Sequence, residues 1–165
     1  MLGNDMSNPY EVFPWTDSYA TGIPQIDQQH QTLVQLLNTL SSRLTYRIDM
    51  PSSRILFKEL VEYADYHFQT EENIWHQFFA NDPWESDHKK SHIDFISIVN
   101  KLKDEENSLP LEAVLKDIMS FLVLWLTSHI LESDKRMAKV VLAIQSGLSL
   151  EQAKLQASQE MLLEK

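Results

Sequence analysis

Residues 56–79 read LFKELVEYADYHFQTEENIWHQFF, and the spacing of their apolar side chains decides how the chain is built. Leu56, Leu60, Tyr63, Ile74 and Phe78 follow one another at helical intervals, and His67 and Glu71 fill the two places between Tyr63 and Ile74. Steps of three and four are the seam of an amphipathic helix. This seam therefore puts an imidazole and a carboxylate where the helix should bury hydrocarbon.

The same pattern continues on either side. From Pro24, a seam runs Ile26, His30, Leu33, Leu37, Leu40, Leu44. The break "DMPSS" at 49–53 offers Ser52 or Ser53 as the N-cap of the helix already read. "NDPWESD" at 81–87 is the next break, with Ser86 as a cap for the seam His88, His92, Phe95, Val99, Leu102. After "EENSLP", a fourth seam runs Leu111, Leu115, Ile118, Leu122, Trp125, His129. Four amphipathic helices joined by short breaks predict an all-α, up-down-up-down antiparallel four-helix bundle. Residues 1–23, with Pro9, Pro14 and Gly22, read as an irregular N-terminal arm across a bundle end. Ser149 and Gln152 form a capping-box pattern after Gly147, and Leu148, Leu155 and Leu162 stand seven apart. The expected division is a bundle domain over 1–146 and a connector helix over 147–165.

Composition narrows the function. With 14 basic against 24 acidic residues the net charge is −10, and no Lys/Arg run follows a phosphate backbone, so nucleic acid is not an expected partner. The chain has no cysteine, which excludes disulfides, iron-sulfur clusters and thiolate zinc sites. The first residues show no signal-peptide pattern, and "FLVLWL" at 121–126 is far shorter than the roughly 20 residues that span a bilayer. A cytoplasmic protein without a membrane anchor is the expectation.

Five of the six histidines fall on the seams; His76, nine residues after His67, falls on the opposite, solvent-facing side of its helix. Burying an unpaired polar group costs roughly 2–7 kcal/mol, so five imidazoles and a glutamate in one core need a common compensation. A metal centre supplies it, because neutral imidazoles offer lone pairs and carboxylates offer charge. His67 with Glu71, and His88 with His92, are four apart and chelate from one helical face. Asp134 follows His129 by five, about 140° off that face in an ideal helix. It joins the set only through a π-type distortion or a centre wide enough to be approached from the side. Five imidazoles with one or two carboxylates exceed one tetrahedral zinc and are too nitrogen-rich for calcium or magnesium. Two six-coordinate transition ions bridged by carboxylates fit, and imidazole with carboxylate suits iron.

The order His30, "HFQTE", "HKKSH" and "HILESD" resembles the hemerythrin family, in particular its bacterial domains, and "TGIPQIDQQHQTL" and "WLTSHILESDK" are similar to the family's flanking sequence. The likeness covers residues 15 to about 143. It implies two non-haem irons: His88, His92 and His129 on one, His30 and His67 on the other, Glu71 and Asp134 as bridges, and an oxo or hydroxo bridge between the metals. It further implies reversible uptake of dioxygen, as hydroperoxide, at the iron with two histidines, and Leu126 and Trp125 as residues of the oxygen pocket. The stretch from Glu71 to His88 departs from the family in being longer and in carrying "DPW". The resemblance leaves three functions: an oxygen or redox sensor with a fused output such as a diguanylate cyclase, a stand-alone carrier or store, and a di-iron oxidase or peroxidase. The first is favoured because the C-terminal helix suits a connector or a dimer contact, and the domain itself is then a binding module and not an enzyme.

Overall fold

The computed structural model describes residues 13–48, 50–105 and 108–165, and among these the chain is helical with no strand. Helix α1 spans Pro24–Thr45, α2 Met50–Phe79, α3 Pro83–Asp104 and α4 Leu111–Ser128. A π-helical turn, His129–Asp134, joins α4 to α5, Lys135–Gln145, and α6 spans Leu150–Leu163. Helices α1 and α3 each pack on both α2 and α4, the neighbour ring of a four-helix bundle.

Local chemistry sets the helix ends. Asp27 reaches back to accept hydrogen bonds from the Thr21 backbone and hydroxyl at 2.7 and 2.8 Å and from Gly22 N–H at 3.2 Å. Gly22 holds φ +88° there, and a Cβ on it would meet Leu142 at 3.0 Å. Pro24 then occupies the first turn of α1, where its missing N–H is not needed. The expected caps Ser52 and Ser53 instead lie inside α2, which begins at Met50. Ser86 is likewise not the cap of α3: Asp82 caps it, accepting from Trp84 N–H at 2.9 Å, because Pro83 after Asp82 starts the helix earlier. Ser149 and Gln152 do form the reciprocal capping box of α6.

The seam of α1 is buried as read. On α2 the buried line is Phe57, Leu60, Ala64, His67, Phe68, Glu71, Trp75 and Phe79, with Leu56, Tyr63, Ile74 and Phe78 only partly covered. Large aromatics beside the expected positions rotate the covered face by about one residue. Of the N-terminal arm, residues 1–12, including Pro9, lie outside the described residues. From Phe13 the arm runs back along α1 instead of crossing a bundle end. Phe13 is buried, and its backbone N–H and C=O each pair with the Asn38 side chain at 2.9 Å.

Two apolar clusters divide the interior. The larger draws on all four bundle helices and includes Leu33, Leu37, Leu60, Phe95, Ile118 and Leu122. The smaller joins Ile26 of α1, Trp75 and Phe79 of α2, Met137 and Val141 of α5, and Ala153 and Ala157 of α6. The stretch Leu111–Gln145 is long and apolar enough to cross a membrane by length and composition, but Leu115, Ile118, Leu122, Leu126, Met137 and Val141 spend that apolarity on these clusters. Helix α6 folds back on α5, where Lys139 pairs with Glu160 and Glu164 at 3.2 and 3.0 Å. Lys154 binds the Asp82 carboxylate at 2.9 Å and lies with Arg136 against the Trp84 ring. The "DPW" stretch is thus where the C-terminal helix docks.

Candidate metal centre

Between the two apolar clusters lies one polar layer. His30 comes from α1, His67 and Glu71 from α2, His88 and His92 from α3, and His129 and Asp134 from the two ends of the π turn. All seven are buried, none more than 6% exposed. Each helix supplies an inward side chain from the seam that carries its leucines, so the layer follows from the same periodicity that builds the core.

The π turn brings Asp134 in. Lys135 N–H donates to the carbonyl of Ile130, five residues back, and this wider turn places residues five apart on one face. His129 Nε2 is consequently 3.0 Å from Asp134 Oδ1. An ideal α-helix would have separated them.

The side chains form two groups of mutually adjacent donor atoms: Glu71, His88, His92, His129 and Asp134 in one, and His30, His67, Glu71 and Asp134 in the other. Both carboxylates belong to both groups, and they divide their oxygens between them. Glu71 Oε1 lies 2.9 Å from His67 and 3.3 Å from His30, while Oε2 lies 3.3 Å from His88 and 3.2 Å from His92. Asp134 Oδ2 is 2.9 Å from His30, and Oδ1 is 3.1 Å from His88 and 3.0 Å from His129. Every one of these histidine contacts uses Nε2.

Neither Asp134 oxygen, although so close to imidazole nitrogens, has a hydrogen-bond partner with acceptable angles. His92 and His129 also face each other Nε2 to Nε2 at 3.0 Å. Inward nitrogens and oxygens crowded this closely, with both Asp134 oxygens left unpartnered, make a donor set of the kind that surrounds a cation. The donor chemistry fits a pair of cations well, because leaving two carboxylates buried without compensation costs several kcal/mol per ion.

The outward nitrogens fix the rings. His67 Nδ1–H donates to Gln29 Oε1 at 2.8 Å, and Gln29 in turn donates to Thr70 at 3.2 Å. His88 Nδ1 meets Ser133 Oγ at 2.8 Å, and His92 Nδ1 meets Glu72 Oε1 at 3.1 Å. A proton on Nδ1 leaves the Nε2 lone pair facing inward, as a metal ligand requires. Phe68 stacks on His92 with centroids 4.0 Å apart, and Trp125 stacks on His129 at 4.2 Å. Leu126 is buried in the larger cluster, while the Trp125 ring contact falls on the three-histidine group. His76 stands apart on the surface, paired with Glu85 at 2.9 Å. Gln29, Glu72 and Ser133 were not singled out by sequence reasoning; each adjoins a seam residue, and its partner lies on another helix.

Electrostatics in the metal-free protein carry the same imprint. Burial opposes charge on His30 and His88, but hydrogen bonds and charge from Asp134 and Glu71 outweigh it and raise both to about 9. His129 is also raised against burial, chiefly by Asp134, whereas burial wins at His92 and lowers it. Burial pushes the Glu71 and Asp134 carboxyls up, as does the Glu71 charge for Asp134, yet the surrounding histidines hold both below the usual carboxylate range.

A family model described as the hemerythrin HHE cation binding domain matches residues 21–141. The chain belongs to the hemerythrin family. Its hemerythrin domain is 29% identical over 129 residues to the bacteriohemerythrin of Clostridium acetobutylicum, covering 75% of this chain and 97% of that protein. A bacteriohemerythrin of Stenotrophomonas maltophilia is 30% identical over 129 residues, 78% of this chain and 81% of the relative. A hemerythrin-like protein of Naegleria gruberi is 27% identical over 124 residues, 75% and 89% of the two chains. The matched hemerythrin segment opens at Thr21, which binds Asp27, and closes within α5. It therefore contains the whole polar layer and the π turn.

Proposed function

We propose that the chain is a non-haem di-iron domain that binds dioxygen reversibly. His88, His92 and His129 would hold one iron and His30 and His67 the other, with Glu71 and Asp134 shared between them. The observation that carries this reading is the division of each carboxylate's oxygens between the two histidine groups. The group with three histidines would offer its iron one donor more than the group with two, which would leave room there for a small ligand. When bound, the iron pair supplies two electrons that dioxygen takes up and returns.

The chain's own residues govern the outcome. Leu126, Ile130 and Phe68 belong to the buried cluster beside the layer, and with Trp125 they form the apolar wall that excludes water and slows irreversible oxidation. Five imidazoles against two carboxylates make a less anionic donor set than the carboxylate-rich sites of di-iron oxidases. This favours binding over oxygen cleavage, so the domain is not an enzyme. Its partner is dioxygen and its compartment the cytoplasm; its net charge of −10 disfavours nucleic acid.

A sensing role is supported by one further observation: Asp134 ends the π turn and leads directly into α5, on which α6 packs. A shift at Asp134 thus has a rigid path to the C-terminal helix, where an output domain or a dimer contact would receive it. The test is optical. The protein is loaded with iron, reduced without oxygen, then exposed to it. Two irons per chain and a ligand-to-metal band that appears and reverses are expected. A single metal per chain, or no reversible band, refutes the reading. Protease protection of α6 that differs between oxygenated and reduced protein would support sensing, and identical protection would favour a carrier.

A further inference from the structure

The three outward hydrogen bonds to the histidines are not alike. Gln29 and Ser133 offer neutral oxygens to His67 and His88, but Glu72 offers His92 a carboxylate. His30 Nδ1 is buried with no hydrogen-bond partner among the described residues. The three-histidine group therefore contains the one imidazole, of these four, that is backed by a charged acceptor. Glu72 follows Glu71 on α2, so consecutive carboxylates grip the two nitrogens of one ring: Glu71 Oε2 lies 3.2 Å from Nε2 and Glu72 Oε1 3.1 Å from Nδ1. Phe68, stacked on the same ring at 4.0 Å and 11°, fixes its plane. The His92 side chain is 3% exposed and that of Glu72 is 27% exposed. Glu72 also lines two depressions between α2 and α3, of about 300 and 610 Å³. It thus joins a buried ring to solvent.

We propose that Glu72 is a positioning residue that fixes His92 and, by accepting a hydrogen bond from its Nδ1–H, tunes the reduction potential of the three-histidine iron. The inference rests on the di-iron reading. A carboxylate behind an imidazole raises the basicity of the ligating nitrogen, and a more basic ligand stabilises the more highly charged, oxidised metal. Gln29 and Ser133 do this less, since neither oxygen carries a full charge. The two irons consequently differ in ease of oxidation for a reason other than their number of histidines.

Glu72→Gln keeps a side-chain oxygen for the hydrogen bond and removes the charge; Glu72→Ala removes both, and Glu72→Asp restores charge at shorter reach. Each variant is loaded with iron, its content measured, its potential followed by spectroelectrochemistry, and its iron released to a chelator. Glu72→Gln is expected to retain the iron content of the parent and to lower the oxidised-to-reduced ratio about tenfold at the parent's midpoint. Glu72→Ala is expected to shift it as far and to release iron about tenfold faster, with Glu72→Asp returning toward the parent. Potentials and release rates equal to the parent in both Glu72→Gln and Glu72→Ala overturn the proposal. A parent that takes up no iron overturns the di-iron reading, and the role of Glu72 with it.

Discussion

The two histidine groups share both carboxylates but differ in how they are held. The three-histidine group draws on α3 and the π turn; Phe68 stacks on His92 and Trp125 on His129, and His88 meets His92 edge to face. The two-histidine group draws on α1 and α2; its rings meet edge to face at 4.7 Å, and only His67 has a partner behind it. One side is thus a braced cage and the other a pair of ligands. An asymmetric centre of this kind would keep one metal fixed while the other exchanged a ligand.

The largest disruption should come from removing what the sides share. Glu71→Gln keeps one of the two shared oxygens, replaces the other with a donor group and removes the charge, and is expected to leave little bound metal on either side, as read by metal analysis after desalting. Equal metal in variant and parent would break the proposed bridging. Unequal losses should follow from single histidines. His67→Ala leaves one imidazole on its side, and iron content should fall by about half, with the dioxygen response lost. His92→Ala leaves two imidazoles on the braced side and should keep most of its iron, and azide titration should now find a second exchangeable position.

Smaller effects sharpen the contrast. Gln29→Ala and Ser133→Ala each free one outward nitrogen, and each should weaken metal retention about tenfold. Chelator kinetics should show the faster phase on opposite irons in the two variants. The mildest effect is one of pH on the metal-free protein. His30 and His88, one from each group, are raised to about 9. Their stabilisation is full below the unfolded value of about 6.5 and is lost as pH rises through 9. The lowered Glu71 and Asp134 act oppositely: their stabilisation is present above the usual carboxylate range of about 4 and is lost as pH falls. His92, lowered by burial, adds to the acid loss. Thermal midpoints should therefore be highest in mildly acidic solution and fall by a few degrees toward pH 9.5, and a flat profile would contradict this balance.

The fold was legible because its helices repeat one simple signal. The α1 seam is buried position for position, while that of α2 shifts because Phe57, Trp75 and Phe79 outweigh the residues beside them. Six of the seven inward residues were legible for the same reason, each being a polar exception on an apolar line. Asp134 was the exception to that. A five-residue step contradicts an α-helix, and whether the backbone widens to permit it is settled by packing around the turn. The supporting residues were hidden for another reason. Gln29, Glu72 and Ser133 act across helix pairs, and which residue faces which depends on interhelical rotation that no local pattern encodes. The caps of α2 and α3 misled because serine is a good cap wherever it stands, and Pro83 after Asp82 was the stronger signal.

The π turn also governs what lies downstream of it. Winding His129–Asp134 as an ordinary α-helix, with every residue kept, would turn everything beyond by about 100°. Met137 and Val141 would swing away from Trp75 and Phe79, and Lys139 away from Glu160 and Glu164. The widened turn that brings Asp134 inward is thus also what sets the phase of α5 and the seat of α6. Through that one turn, the inward place of Asp134 and the seat of the C-terminal helix are set together.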